Sequence, residues 1–257
     1  MSGVPICPRA LGRAALLLGS CLLSACGDAE VRGLPGRVLS VIVRDDDPAD
    51  PRTLVDLHYD VDRAGCVTVG PSLHASIQGA PLTLLHRGRN QGDFLRPACD
   101  PPAFRGPRRP DETVSRVVVG DATQEVVATV EALYAPRRLE VSGPLRRGER
   151  AMLRWTPGHD RLDSPGTVPL WVTVTFEYPD GAHWSLDARA LTLGDSQIEL
   201  TVPAEARRGP GRLRLVGGSG TSDAVLTVFP RVTACEHADR CVISVRQPPP
   251  TVAAVVE

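Results

Sequence analysis

The stretch Val55-Asp56-Leu57-His58-Tyr59-Asp60-Val61-Asp62 decides the fold class of this 257-residue chain. Odd positions carry apolar side chains and even positions carry acids or a histidine, so the period is two. A helix would return its apolar residues every three or four positions, whereas a half-buried antiparallel strand needs this alternation. The same signal recurs on both sides. Upstream, Val38-Leu39-Ser40-Val41-Ile42-Val43 is rich in β-branched residues, and Asp45-Asp46-Asp47-Pro48-Ala49-Asp50-Pro51 closes it with turn formers. Downstream, 73–78 and 82–86 flank Gly79-Ala80-Pro81 as a hairpin, and 114–120 and 124–134 continue the strands. The acidic residues of this region could attract calcium, but their spacing lacks the glycine and twelfth-position glutamate of an EF-hand loop, so they read as solvated turn residues.

The second half repeats the pattern. Apolar or alternating runs fall at 139–141, 151–155, 170–178, 183–186, 198–202, 212–216 and 224–229, with turns at intervals suited to an all-β sandwich, roughly 8 to 12 residues. Trp171-Val172-Thr173-Val174-Thr175-Phe176-Glu177-Tyr178 alternates cleanly and stops at Pro179-Asp180-Gly181. Ala135-Pro136-Arg137-Arg138 interrupts the pattern between the halves and marks a domain boundary. All three tryptophans (Trp155, Trp171 and Trp184) lie beyond it. A tryptophan on an inner strand resembles the core of immunoglobulin-like and fibronectin type III-like modules, although the cysteine pair that flanks it in true immunoglobulin domains is missing. No helical period and no internal repeat is found outside the N-terminus. The expectation is an all-β chain of two immunoglobulin-like sandwiches in tandem, 37–135 and 136–247, followed by a Pro-rich tail, 248–257.

The N-terminus is of another kind. Arg9 and Arg13 precede an apolar run, Ala14 to Leu23, which ends in Leu23-Ser24-Ala25-Cys26. A basic lead, about ten apolar residues and small residues before a cysteine are the parts of an export signal, and the run falls short of the roughly 20 residues a membrane-spanning helix needs. Leu23-Ser24-Ala25-Cys26 resembles the lipobox of bacterial lipoproteins. That resemblance covers about the first 26 residues and implies a signal peptide over 1–25, cleavage after Ala25 and a diacylglyceryl group on the Cys26 sulfur. Each buried methylene contributes about 0.8 kcal/mol, so two or more acyl chains would hold the protein stably to membrane lipid. Gly27 after the cysteine implies, by the family's sorting pattern, the outer membrane of the cell envelope. Residues 26–36, with Gly27, Gly33, Pro35 and Gly36, read as a lipidated flexible tether that spans at most about 35 Å.

Charge is balanced, with 29 basic and 30 acidic residues, which gives nucleic-acid binding no support. Of seven cysteines, Cys7 and Cys21 would leave with the signal and Cys26 would carry lipid. Cys66, Cys99, Cys235 and Cys241 remain, an even number suited to disulfides in an exported chain. Four cysteines allow three pairings; pairing inside each half joins Cys66 to Cys99 and Cys235 to Cys241. No Cys-x-x-Cys occurs, so zinc is not favoured and no metal or cofactor is expected.

The segment 87–112 is rich in Gly, Pro and Arg and long for a structureless loop. It is the candidate contact surface, with Phe94, Phe104, Arg105, Arg108 and Arg109 as contact residues for an anionic glycan, a phosphate or a headgroup. An ordinary disulfide-pinned loop is the favoured reading of the same residues. No nucleophile elbow, phosphate loop, dinucleotide fingerprint or metalloprotease helix is present, and six histidines are scattered without ligand spacing. The expected role is therefore not enzymatic: a lipid-anchored envelope protein whose sandwiches bind or scaffold an envelope protein partner or a glycan. Carbohydrate or peptide recognition is the alternative, and an envelope hydrolase is a more distant one.

Overall fold

A computed structural model describes residues 28–47, 49–90, 99–110, 112–162, 171–218 and 225–257. Cys26 and Phe94 lie outside them. The chain is built of strands, in order β1 (Val38–Arg44), β2 (Arg52–His58), β3 (His74–Ile77), β4 (Ala80–Pro81), β5 (Thr83–His86), β6 (Arg89–Asn90), β7 (Cys99–Asp100), β8 (Ala103–Pro107), β9 (Val114–Gly120) and β10 (Glu125–Glu131). There follow β11 (Arg138–Val141), β12 (Arg150–Thr156), β13 (Trp171–Glu177), β14 (His183–Asp187), β15 (Leu191–Gly194), β16 (Gln197–Thr201) and β17 (Gly209–Gly218). The last are β18 (Leu226–Val228), β19 (Val232–Glu236), β20 (Arg240–Gln247) and β21 (Thr251–Val256). One helical turn, α1 (Val61–Ala64), and two short 3-10 turns complete the described elements.

The period-two pattern places the core. In β1 and β2 every second residue is buried, Leu39, Val41 and Val43 against Val55 and Leu57, all at 0% exposure. These face Ile77, Val117, Val119, Val126, Ala128 and Val130 from β3, β9 and β10. Sandwich A therefore has β20-β1-β2-β8-β5 on one side and β19-β10-β9-β3-β4 on the other. Sandwich B closes Val172, Val174, Phe176, Leu213 and Leu215 of β13 and β17 over Leu153, Trp155, Ile198 and Leu200 of β12 and β16. Its second sheet has the order β11-β12-β16-β15. The buried tryptophan is Trp155, at 1% exposure.

The two sandwiches are not the two halves of the sequence. β20 lies parallel beside β1 with Val38 opposite Arg240 and Arg44 opposite Arg246, and β19 pairs antiparallel with β10. Both come from the span assigned to the second domain by sequence, so the division into 37–135 and 136–247 is corrected: 232–247 completes sandwich A. The Pro-rich tail is corrected too, since β21 pairs with β17 from Gly209–Val256 to Arg214–Thr251 in sandwich B. One sheet runs through the whole molecule, in the order β14-β13-β17-β18-β20-β1-β2-β8-β5.

Local departures have local causes. The alternating stretch that marks β2 ends at His58; Tyr59 remains buried, but Val61 begins α1 and is 37% exposed. Gln78 and Gly79, both at positive φ, turn β3 back on β4, but the chain then crosses to the other sheet, where β5 pairs with β8. The presumed hairpin of 73–78 with 82–86 is thus two strands in opposite sheets.

Candidate functional site

The strap that leads into sandwich A is fixed. Ala29 N–H donates to Thr68 O at 2.8 Å and Gly70 N–H to Ala29 O at 2.9 Å, a short parallel bridge onto the turn before β3. Val31 N–H donates to Asp121 Oδ2 at 2.7 Å, and Val31 and Leu34 are buried at 0% and 4% exposure, plugging the gap between the two sheets. Arg37 donates to Val31 O and Arg32 O at 2.9 and 3.0 Å and to His237 O at 2.7 Å. Gly36, at φ +57°, passes so close to Asp60 that a Cβ would lie 2.9 Å from the Asp60 Cβ. From residue 28 onward the expected flexible tether is therefore replaced by a docked segment, because two apolar side chains and a carboxylate cap hold it down. Burial alone would raise the Asp121 carboxyl; hydrogen bonds from the Thr123 side chain and from the Val31, Thr123 and Gln124 amides outweigh that and hold it below its ordinary value.

The disulfides Cys66–Cys99 and Cys235–Cys241 are both formed, with Cα–Cα distances of 5.3 and 5.8 Å. The first ties the turn beyond α1 to β7. The second joins β19 to β20 and so staples the two sheets of sandwich A.

The contact residues expected in 87–112 are arranged otherwise. Ala103–Pro107 is strand β8, paired with β2 from Val55–Phe104 to Arg52–Pro107 and with β5 on its other side. Phe104, at 1% exposure, belongs to the core and is withdrawn as a contact residue. Arg105 donates to Asp50 Oδ1 at 2.7 Å, and Arg108 donates to Asp45 Oδ2 and Tyr134 O at 2.6 Å each. Arg109 is half-buried near Tyr134. Arg105 and Arg108 are thus met by acids of the β1–β2 turn, and Asp46 likewise faces Arg44 and Arg246. Asp45, Asp46 and Asp50 thus meet guanidinium groups, not a shared cation. Among the described residues no group of three or more His, Cys, Asp or Glu is placed to hold a metal ion, and no helix is long and apolar enough to cross a membrane.

Two features escape sequence reading. At the waist, Arg137 and Asp160 form an ion pair, Nε to Oδ2 at 2.7 Å, with side chains 0% and 2% exposed. Arg137 also donates to Leu133 O and Ala135 O, its own amide donates to Gln247 Oε1, and Ser196 Oγ accepts from the Asp160 amide at 2.8 Å. Burial raises the Asp160 carboxyl against the pull of Arg137. At the far tip of sandwich B an open cleft of about 450 Å³ is lined by Arg146, Arg147, Glu149, Ala204, Arg208 and Glu257. Arg146 and Arg147 follow the β11 turn and Arg208 comes from the 203–208 turn, so only the fold collects them. Guanidinium forks in such a cleft suit a carboxylate, sulfate or phosphate.

No protein-family model and no curated protein matches the chain. Among solved structures, the FN1–FN3 domains of chicken CNTN1 align at 9% identity and a TM-score of 0.23 over 87% of this chain. The chain spans 65% of the length of that structure.

Proposed function

We propose that this is a lipid-anchored, non-catalytic protein of the bacterial cell envelope: the acyl groups on Cys26 hold it to membrane lipid, and its β-sandwiches bind or scaffold a partner there. The observation that carries this reading is Leu23-Ser24-Ala25-Cys26 at the end of a short apolar run behind two arginines. The two disulfides of the mature chain agree with an oxidising compartment. Outer-membrane residence follows from Gly27 by the same family pattern. The test is fractionation of cells expressing the Cys26→Ala variant. The native chain is expected in the membrane fraction and the variant outside it; a variant that stays wholly with the membrane overturns the proposal.

Recognition of an anionic glycan or peptide is the second reading. It moves from Arg105 and Arg108, whose charges are met internally, to the cleft where Arg147 and Arg208 stand beside the Arg146–Glu257 pair. Titration with acidic oligosaccharides should give binding that Arg147→Glu with Arg208→Glu abolishes; binding unchanged in that variant removes the cleft from consideration.

A further inference from the structure

We infer that the end of sandwich A closed by the strap faces the membrane, and that sandwich B is held out on the opposite side. The inference rests on lipidation at Cys26 as proposed above. Only two peptide units separate Cys26 from Asp28, a reach of at most about 7 Å. Asp28 is itself held by Arg87 at 2.7 Å, and the bridge to Val69 and the burial of Val31 follow immediately. A free tether of about ten residues would have an r.m.s. span of about 17 to 19 Å and would let any face of the protein meet the lipid. Here Asp28 and Ala29 are already held, so that slack is absent from Asp28 onward.

The register of the sheets says what lies at that end. Val38 of β1 sits opposite His58 and Arg240, and Arg44 sits opposite Arg52 and Arg246, so the two ends of β1 mark the two ends of sandwich A. The strap, α1, the turn at 65–72 and both disulfides lie at the Val38 end. The chain passes to sandwich B after Glu131 and after Gln247, both at the Arg44 end, and β18 joins the sheets there through Leu226 opposite Gln247. Seven residues of β1 at about 3.3 Å each put the waist about 23 Å beyond the strap. Sandwich B, with the cleft of Arg146, Arg147 and Arg208 at its tip, stands further out still.

The membrane-facing surface is mixed in character. Val61, Pro71 and Ser72 are exposed, while Arg63 pairs with Asp60 and Arg87 with Asp28. Such a surface supplies little electrostatic attraction of its own; the acyl chains hold the protein and the short link sets its direction.

The test uses the full lipidated chain in phosphatidylethanolamine and phosphatidylglycerol vesicles that carry doxyl-labelled lipid. A fluorophore is placed on Ser72→Cys or on Glu205→Cys, both exposed positions at opposite ends of the molecule. Loss of fluorescence is expected at position 72 and none at 205, and a Gly/Ser insertion of about ten residues between Gly27 and Asp28 should remove the difference. Equal quenching at the two positions, or stronger quenching at 205, overturns the orientation, and a difference that survives the insertion overturns the short link as its cause. Vesicle flotation of the same samples reads the anchor separately: a chain that does not float overturns lipidation, whereas one that floats with equal quenching overturns the orientation alone.

Discussion

Asp121 shows how one carboxylate can fix the direction of the whole chain. It accepts from the amides of Val31, Thr123 and Gln124 and from the Thr123 hydroxyl, which together lower its pKa despite burial. A depressed folded-state value means that its stabilisation is present above the unfolded value, about 3.9, and is lost as pH falls through the folded one. The protection of the Val31 amide, its exchange relative to the intrinsic rate at each pH, should therefore be high at neutral pH and fall as pH drops below about 4, and Asp121→Ala should lower it across the neutral range. Slow exchange in that variant would mean that burial of Val31 alone holds the strap. The buried pair at the waist obeys a different balance. Truncating one partner leaves an uncompensated charge, so Asp160→Ala should cost about 3–5 kcal/mol in chemical denaturation, while Arg137→Met with Asp160→Leu should cost clearly less. A double variant as damaged as the single one would show that the guanidinium's hydrogen bonds to Leu133 O and Ala135 O matter more than the charge.

At the scale of elements, β8 separates what sequence discloses from what it conceals. β2 and β13 were legible because each buries one face and alternation survives in the sequence, and β1, β9 and β10 because their runs are rich in β-branched residues. β8 was not, because its residues are shaped by neighbours distant in sequence. Gly106 sits where a Cβ would lie 2.4 Å from the end of the Leu82 side chain, Pro102 precedes the strand and Pro107 ends it, so its composition imitates a loop. Phe104→Ala should accordingly destabilise by about 3–5 kcal/mol, as removal of a core aromatic does, and a thermal scan that shows no change would return the segment to the surface. The disulfides give a second check. Loop closure predicts a loss of about 3–4 kcal/mol when Cys66 and Cys99 become serine and about 2 kcal/mol for Cys235 and Cys241. Their order in denaturant midpoint, with the longer loop costing more, is the quantity to compare.

At the scale of the molecule, the two-sandwich architecture was legible but its connectivity was not. Nothing near Val38 announces that Arg240 will lie beside it, since parallel pairing over that separation leaves no local mark. The same holds for the arginine cleft, whose residues converge only after β21 returns to sandwich B. Because one sheet passes through both sandwiches and 232–247 completes the first, a chain cut after Tyr134 lacks β19 and β20 and should not fold, whereas the intact mature chain should unfold in a single calorimetric transition. The resemblance of Leu23-Ser24-Ala25-Cys26 to a lipobox is read without the fold, and under the proposed lipidation the docked strap would make Cys26 a short link in place of a loose mooring. Mass spectrometry of the native protein's N-terminal peptide tests the anchor most directly: the account predicts a chain that begins at Cys26 with a diacylglyceryl thioether, and an unmodified Cys26 or a different first residue would contradict it.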